Sequence, residues 1–357
     1  MADRIINIGV TGLNAIDSPG PGVPVIRGLR EATSFKARII GLAYEPLEPG
    51  IYIEGLVDKT YLIPYPSAGT DMLLARLEHI QSVEKLDVII PNFDAELYSF
   101  IKLERALKTL GISMFLPTLE QFEERHKFNL DEFGKKYNLD VPESRPVVSH
   151  NELVKVAKEM GFPVMVKGKY YDAYAANTPE QARNYFDKIS AKWGLPVILQ
   201  KFVKGTELNM TGLGDGQGNT IAAVGMRKQF ITDKGKAWAG ITIHDYRLME
   251  ITRHFIAATK WRGGFELEIM KSAENTYYLM EINPRIPAWI YLAVGVGQNI
   301  PEALVNLALG NEVQPYRDYE AGKLFIRYAY DMIVSRERFE ELSVNGELEN
   351  ITENQQI

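Results

Sequence analysis

Two apolar runs in the C-terminal half, Gly264 to Met270 and Tyr277 to Ile282, are separated by a short polar segment. This layout predicts two neighbouring antiparallel strands joined by a turn. Because side chains alternate along a strand, Glu268 and Glu281 can face each other, with Asn283 on the same face as Glu281. Two carboxylates and an amide oxygen are hard donors of the kind that Mg²⁺ prefers when it carries phosphates.

Arg285 follows this set and would add a fixed positive charge beside it. The alternative interpretation is a solvated hairpin with scattered acids, since short motifs recur by chance. Other residues along the chain favour the metal site.

The composition excludes several classes of function. The 357 residues are 46% hydrophobic and 24% charged, which is enough for a large core in two or three subdomains. A net charge of −6 offers no basic field for nucleic acid or for a membrane surface. We find no apolar stretch near the roughly 20 residues that cross a bilayer and no signal-peptide pattern, so we expect a cytoplasmic protein.

Cysteine and histidine usage narrows the chemistry further. The chain has no cysteine, which excludes disulfides, thiolate catalysis and cysteine-type zinc sites. Its five histidines never recur at the i, i+4 spacing of a zinc-protease helix.

Strand-like and helix-like segments alternate in the first third, which predicts a parallel, doubly wound sheet with a boundary near Pro117. The predicted strands are Ile5 to Val10, Ala37 to Ala43, Leu86 to Pro91 and Ile112 to Leu116. The pattern then changes to α+β. Ser149 to Glu152 and Thr178 to Gln181 are capping sequences that predict two helix starts. The polar tail from Ser343 is expected to fray.

Further polar residues occur in a fixed order before the acidic pair. Lys127 opens a helical stretch, and Lys167 ends a short strand. Gln200 and Glu207 lie seven residues apart around a Gly turn, and Lys228 follows the strand Thr220 to Met226. Each residue by itself is typical of an exposed surface position.

As an ordered set, these residues resemble the ATP-grasp superfamily, and most closely its carbamoyl-phosphate-synthetase-like branch. The resemblance implies an ATP-grasp fold of α/β and α+β class with an N-terminal Rossmann-like pre-ATP-grasp domain at residues 1–117. It further implies a small lid subdomain at 118–195, a large subdomain with the metal site at 196–310 and a C-terminal extension at 311–357.

The resemblance also implies a role for each residue. Lys127 and Lys167 would hold the inner phosphates of ATP, and the backbone of Lys201, Phe202 and Val203 would pair with adenine. Gln200 would accept a hydrogen bond from the adenine amino group, and Glu207 would hold the ribose. The expected metal ligands are Glu268, Glu281 and Asn283, for two Mg²⁺ ions with Mn²⁺ as a substitute. The expected catalytic cations are Arg285, Lys228 and Lys236.

One loop departs from the family pattern. The strand that ends at Lys167 is followed by residues 168–177, which contain a single glycine where the family has a Gly/Ser-rich phosphate loop. Either Lys169 supplies the missing charge, or the glycine-flanked segment around Lys236 acts as a flap. The alternative for that segment is an ordinary hairpin turn.

The expected function is an ATP- and Mg²⁺-dependent ligase that joins a small-molecule carboxylate to an amine through an acyl phosphate, forming a C–N bond. The alternatives are carbamoyl-phosphate-type chemistry on bicarbonate, a kinase, and a non-catalytic ATP-binding regulatory protein. No nucleic-acid or membrane partner is expected, and a homodimer is the habit of the family.

Overall fold

The computed structural model describes residues 4–15, 19–168, 172–233 and 235–350. Its strands are β1 (Ile5–Val10), β2 (Lys36–Ala43), β3 (Lys59–Leu62), β4 (Val88–Ile90), β5 (Ser144–Val147), β6 (Val164–Lys167), β7 (Ala173–Ala176), β8 (Val197–Lys201), β9 (Gly205–Asp215), β10 (Thr220–Ile231), β11 (Ala237–Thr242), β12 (Arg262–Ser272), β13 (Tyr277–Asn283), β14 (Leu324–Ile326) and β15 (Glu347–Glu349). Its helices are α1 (Gly22–Arg30), α2 (Thr70–Glu84), α3 (Asp94–Thr109), α4 (Leu119–Glu124), α5 (Leu130–Tyr137), α6 (His150–Met160), α7 (Pro179–Trp193), α8 (Tyr246–Thr259), α9 (Tyr291–Gly295), α10 (Ile300–Ala308) and α11 (Arg336–Asn345).

The chain divides into two compact units, each built from separate stretches of sequence. Unit 1 comprises Met1–Glu120, Asn209–Glu266 and Asn283–Ile357, and unit 2 comprises Gln121–Leu208 and Leu267–Ile282. The domains expected from the sequence, with boundaries at residues 117, 195 and 310, are continuous stretches of chain. These boundaries stay predictions. No helix in the described part of the chain is long and apolar enough to span a bilayer.

The first sheet of unit 1 has the strand order β15-β3-β2-β1-β4. Strands β1 to β4 are parallel, as expected from the alternation of strands and helices, and β15 is antiparallel to β3. Helix α1 connects β1 to β2, and α2 connects β3 to β4, so the carboxyl ends of the parallel strands share one edge. This edge is where a doubly wound sheet binds ligands.

The strand expected at residues 112–116 is wrong. Only Ser113 forms a bridge there, to Val88, and the neighbouring residues are irregular. The run is apolar because Ile112, Met114 and Leu116 are buried. Burial alone therefore explains the pattern that suggested a strand.

The second sheet has the strand order β13-β12-β9-β10-β11-β14, and β9, β12 and β13 each continue along the chain from one unit into the other. Within unit 1, β10 pairs antiparallel with both β9 and β11. The main core of unit 1 packs the first sheet with Leu213 and Val224 of this second sheet and with the apolar face of α10. Strands β9 and β10 and the first sheet thus share one hydrophobic core.

The C-terminal segment is ordered as far as residue 350, which corrects the expected fraying from Ser343. Helix α11 begins after Ser335, whose hydroxyl accepts a hydrogen bond from the Arg338 N–H. The following strand β15 pairs with β3, and Leu348 is buried in the core of unit 1. Residues 351–357 lie outside the described part of the chain.

Unit 2 contains an antiparallel sheet with the strand order β5-β8-β6-β7. Helices α6 and α7 pack on this sheet through Leu153, Phe186 and Ile189. Both helices begin where the capping sequences predicted. The Ser149 hydroxyl accepts from the Glu152 N–H at 3.3 Å, and the Thr178 hydroxyl accepts from the Gln181 N–H at 3.3 Å.

Replacing Leu348 with Ala tests whether β15 stabilises unit 1. Leu348 is 2% exposed, so the truncation should lower the free energy of unfolding by about 2–5 kcal/mol. Val344→Ala is the control, because Val344 of α11 is 82% exposed and its truncation should change little. Urea unfolding of both variants measures the difference. Equal stabilities would mean that the segment contributes no packing.

Candidate functional site

Four of the predicted residues come together in unit 2. Lys167 is the last residue of β6, and Lys127 lies in the turn between α4 and α5. The Lys127 ammonium is 3.0 Å from a carboxylate oxygen of Glu281 on β13. Lys167 interacts electrostatically with Lys127, Glu281 and Glu268. Two cations and two carboxylates thus form one charge group on neighbouring elements.

The members of the charge group are half-buried, and this affects the pKa of Lys167. Burial, and secondly the charge on Lys127, lower the pKa of Lys167 to about 8, while Glu281 and Glu268 oppose the shift. Two lysines are held close to each other here despite their repulsion. Such an arrangement is suited to an anion with several charges, such as a polyphosphate.

The carboxylates of this group fit a divalent metal by their chemistry. Glu268 on β12 and Glu281 on β13 are half-buried and offer hard oxygen donors. No cluster of three or more His, Cys, Asp or Glu arranged to hold a metal occurs among the described residues. A metal held by these two carboxylates would therefore need further oxygen ligands, which an amide or a phosphate can supply.

Gln200 lies on β8, almost completely buried, with a defined amide orientation. Its amide nitrogen donates to the Ser144 hydroxyl at 2.8 Å, and that hydroxyl donates to the Pro142 carbonyl at 3.0 Å. Because the hydroxyl proton is used, the serine oxygen must accept, and the Gln200 carbonyl oxygen points away from it. That oxygen is buried and has no hydrogen-bond partner among the described residues. It can accept one hydrogen bond from a ligand.

The segment after Gln200 leaves the strand as expected of a binding loop. Lys201 ends β8, but its N–H already donates to the Glu143 carbonyl at 2.9 Å, so this group is not available to adenine. Phe202 and Val203 are irregular and half-buried. Gly205 begins β9, where a Cβ atom would lie 2.1 Å from the Lys271 carbonyl oxygen, so only glycine fits.

Glu207 lies two residues further on, half-buried on β9. Glu207 lies on the first strand after the loop that follows Gln200, which is the order along the chain that the sequence predicts. Its assignment to the ribose stays a prediction.

A second group of polar side chains surrounds the buried carboxylate of Glu266 in unit 1. The Trp289 indole N–H donates to it at 2.6 Å, and the amides of Asn209 and Asn283 donate at 3.2 and 3.1 Å. Burial raises the pKa of Glu266, and the Trp289 bond and the charges of Arg285 and Lys228 oppose the rise. Glu266 thus orients Asn283, the predicted amide ligand, through its nitrogen.

Arg327 belongs to the same group. Its guanidinium donates to the carbonyl oxygens of Ala237 at 2.8 Å and Ala288 at 2.6 Å. Burial lowers the pKa of Arg327 to about 10, and the charge of Glu266 opposes the shift. Two carbonyl acceptors and a nearby carboxylate therefore hold a half-buried cation in place.

Arg285, the predicted catalytic cation, is anchored by an acid of helix α3. Its Nε donates to the carboxylate of Asp94 at 2.8 Å. Asp94 is the first residue of α3, where a carboxylate also interacts favourably with the helix dipole. This ion pair fixes the plane of the guanidinium.

Strands β10 and β11 pair as an antiparallel hairpin, and Lys236 directly precedes β11. A hairpin turn was the alternative to a flap for this segment. Lys236 is exposed, and its N–H donates to the Thr232 hydroxyl at 3.2 Å. Lys228 is half-buried and reaches the Gly235 carbonyl at 3.2 Å. Lys169 lies outside the described residues, so its role as a substitute stays a prediction.

The sequence analysis missed Glu266, Asn209, Arg327 and Asp94. A signal was present for Glu266, because it precedes Glu268 by two residues and so lies on the same face of β12. Nothing comparable marks Asn209 or Arg327, whose neighbours in space are distant in sequence.

Comparisons with known proteins bear on the fold of the chain. The sequence model of the family described as "ATP-grasp in the biosynthetic pathway with Ter operon" matches residues 195–329. Over 260 residues the chain is 24% identical to the carbamoyl phosphate synthase large chain, C-terminal section, of Aquifex aeolicus, covering 66% of this chain and 47% of that protein.

Solved structures extend the similarity to most of the chain. The biotin carboxylase domain of the Hydrogenobacter thermophilus 2-oxoglutarate carboxylase, solved with MgADP, ADP and bicarbonate, superposes with a TM-score of 0.67 at 17% identity, covering 88% of this chain and 71% of that one. The N5-carboxyaminoimidazole synthetase of Staphylococcus aureus gives a TM-score of 0.65 at 14% identity, covering 86% and 78%. The match to an ATP-grasp family model over residues 195–329 and these superpositions show that the chain has the ATP-grasp fold.

The ATP-grasp fold expected from the sequence is thereby confirmed. The chain spans less than half the length of the carbamoyl phosphate synthase large chains that it matches. Similarity at this level of identity establishes the fold of an ATP-grasp protein and not its substrates.

Replacing Trp289 with Phe tests whether the indole N–H stabilises the buried Glu266. The variant loses a hydrogen bond to a buried carboxylate, which should lower the free energy of unfolding by about 1–3 kcal/mol more than the matched control. The control is Trp261→Phe, because the Trp261 indole N–H is equally buried but has no hydrogen-bond partner among the described residues. Chemical denaturation measures both, and equal losses would contradict the role given to Trp289.

Proposed function

We propose that this ATP-grasp protein is an ATP-dependent ligase that activates a carboxylate as an acyl phosphate and joins it to an amine. The observation that carries the proposal is the charge group of unit 2, in which Lys127 and Lys167 face Glu281 and Glu268. Two lysines next to two carboxylates suit a nucleotide whose phosphates are partly neutralised by a metal. A solvated hairpin with scattered acids would not hold a lysine in a desolvated position.

Lys127 and Lys167 would bind the inner phosphates of ATP. The adenine amino group would donate to the carbonyl oxygen of Gln200, and the ribose hydroxyls would donate to Glu207. The buried, unpartnered oxygen of Gln200 supports this assignment, since a buried acceptor is normally satisfied. The irregular backbone at Phe202 and Val203 would contribute the remaining adenine contacts.

Glu268, Glu281 and Asn283 would hold Mg²⁺. The proposal also includes a second Mg²⁺ ion and the replacement of Mg²⁺ by Mn²⁺. Bound Mg²⁺ would neutralise charge on the phosphate oxygens and so lower the barrier to phosphoryl transfer. Asn283 suits this role because its nitrogen donates to Glu266, which fixes the orientation of its amide.

In the proposed reaction, an oxygen of the substrate carboxylate attacks the γ-phosphorus of ATP. The bond between that phosphorus and the bridging oxygen breaks, and ADP leaves. Arg285 and Lys228 would stabilise the charge that spreads over the transferring oxygens, with Lys236 as a further cation. The amine nitrogen then attacks the acyl carbon, inorganic phosphate leaves, and an amide and a proton are released.

Bicarbonate is the second candidate for the carboxylate. The relatives named carbamoyl phosphate synthase and the biotin carboxylase structure with bicarbonate bound both favour it. The same charge groups would then produce carboxyphosphate. The relative with the bicarbonate is also a dimer, which supports a homodimer as part of the proposal.

Glu281→Gln tests the proposed metal and phosphate site. The change removes a charged ligand and the partner of Lys127 at nearly constant volume, so ATP turnover should fall at least about a hundredfold. The assay supplies candidate carboxylates or bicarbonate with ATP, Mg²⁺ and hydroxylamine, and measures ADP and the trapped hydroxamate. Carboxylate-dependent hydroxamate supports the ligase, whereas ADP release that requires bicarbonate supports the second candidate.

The control for this experiment is Glu274→Gln, which removes the same charge from an exposed residue in the β12–β13 turn. It should retain normal turnover. Near-normal turnover in a folded Glu281→Gln protein, or release of AMP instead of ADP, would contradict the proposal.

Gln200 should set the preference for adenine. We expect ATP to bind at least about tenfold more tightly than GTP, because the guanine carbonyl would face the Gln200 oxygen without a donor. Gln200→Met removes the acceptor and should bring the two affinities close together. Gln200→Glu keeps an acceptor and should preserve the preference. Calorimetric titration measures all three proteins, and equal ATP and GTP affinity in the unaltered protein would refute this assignment.

A further inference from the structure

A second polar site lies at the edge of the first sheet, where the parallel strands end. Thr11 follows β1, Tyr44 follows β2, and Asn92 comes two residues after β4. Thr11 and Asn92 are completely buried. The carboxyl ends of β1 and β4 adjoin where the strand order reverses, because β4 lies on the opposite side of β1 from β2 and β3. Doubly wound sheets bind ligands at such a reversal.

Glu96 of α3 lies beneath this edge with no exposed surface. Its carboxylate accepts hydrogen bonds from the Thr11 hydroxyl and the Tyr44 hydroxyl, and from the N–H groups of Asn92 at 2.6 Å and Phe93 at 2.9 Å. These four bonds satisfy both oxygens of the carboxylate. Glu96 therefore orders the edge of the sheet but has little capacity to bind anything else.

Glu48 is a second buried carboxylate in the same place, and it is only half satisfied. One oxygen accepts from the Tyr44 N–H at 2.8 Å and from the Glu45 N–H at 3.4 Å. The other oxygen is buried and has no hydrogen-bond partner among the described residues. Burial and the neighbouring charge of Glu96 raise the pKa of Glu48 to about 7, so the site is short of positive charge.

Asn92 provides an independent acceptor. Its amide nitrogen donates to the carbonyl oxygens of Thr11 and Ile90, both at 3.0 Å, so both of its hydrogens are used. Its carbonyl oxygen is therefore fixed in direction, and it is buried without a partner in the described part of the chain. The carbonyl oxygen of Asn14, four residues after β1, is in the same condition.

All three unsatisfied atoms are oxygens that accept hydrogen bonds, and no lysine, arginine or histidine of the described residues forms an ion pair with Glu48 or Glu96. An ammonium group carries one positive charge and N–H donors, so it can both balance the charge of Glu48 and satisfy unpaired acceptors. The Tyr44 ring, stacked on Tyr65 at 5.6 Å, adds an aromatic face suited to a cation. A divalent metal fits less well, because it prefers six or more oxygens.

We propose that Glu48, Asn92 and Asn14 form a binding subsite for the ammonium group of the amine substrate, with Glu96, Thr11 and Tyr44 as positioning residues. This assignment rests on the proposed function for its biological meaning. One feature connects it to the chemistry: the first turn of α3 carries both Glu96 and Asp94, and Asp94 holds the catalytic Arg285. The two carboxylates are two residues apart, a rise of about 3 Å along the helix.

The test measures binding of an ammonium probe in the absence of ATP. Ethylammonium chloride is titrated into the protein while thermal unfolding is followed, with tetramethylammonium chloride as the reference at equal ionic strength. Tetramethylammonium has the same charge but no N–H donor. We expect a saturable stabilisation by ethylammonium alone. Equal effects of the two salts, or no saturable effect, would overturn the proposal without the need for any variant.

Glu48→Gln assigns the effect to the subsite. The variant keeps the shape of the side chain and the bonds to Tyr44 and Glu45, and it should require at least about tenfold more ethylammonium for half-saturation. Glu54→Gln is the control, since it removes the same charge from an exposed residue and should respond like the unaltered protein. An unchanged response in Glu48→Gln would show that ethylammonium binds elsewhere.

The outcomes separate this subsite from the ligase proposal. Hydroxamate formation without ethylammonium binding would refute the subsite and support the ligase. If ethylammonium binding depends on Glu48 but no candidate carboxylate stimulates ATP turnover, the subsite would be supported and the ligase refuted.

Discussion

The hydrogen bonds that satisfy the buried Glu266 carboxylate also fix the positions of side chains in unit 1 that are predicted to be functional. The donors come from β9, from β13 and from the turn before α9, so one carboxylate joins three separate parts of the chain. A slip of one residue in β12 would turn Glu266 to the other face and leave these donors unpaired. The register that satisfies Glu266 is therefore the register that orients Asn283 and brings the charges of Arg285 and Lys228 near it.

The parts of the fold that could be predicted from the sequence are those with local causes. The caps at Ser149 and Thr178 involve residues three positions apart, and both helices begin there. The run Ile112 to Leu116 was misleading, because apolar composition indicates burial and a strand also needs a partner along its length. The strand β15 could not be predicted from its local sequence, because the strand with which it pairs, β3, lies far away in the sequence.

The candidate site likewise has residues that could be predicted from the sequence and residues that could not. Lys127, Lys167, Glu268 and Glu281 were predicted as a set from their order along the chain, and the structure brings these four together in unit 2. Which of Glu266 and Glu268 is buried could not be predicted, because spacing by two residues gives both the same face of β12. The free oxygen of Gln200 depends on the hydroxyl of Ser144, a contact that no spacing rule reveals.

The buried carboxylates Glu266, Glu96 and Glu48 of unit 1 are of two kinds, one balanced within the protein and one suited to binding a ligand. Glu266 has donors and also nearby cations, among them Arg327, so its charge is balanced within the protein. Glu96 and Glu48 have donors but no paired cation in the described part of the chain, and burial, with the charge of Glu96 as a smaller cause, raises the pKa of Glu48. A fold can tolerate such an imbalance only at a cost in stability. Retaining it at the carboxyl ends of parallel strands makes sense if a positively charged ligand completes the site.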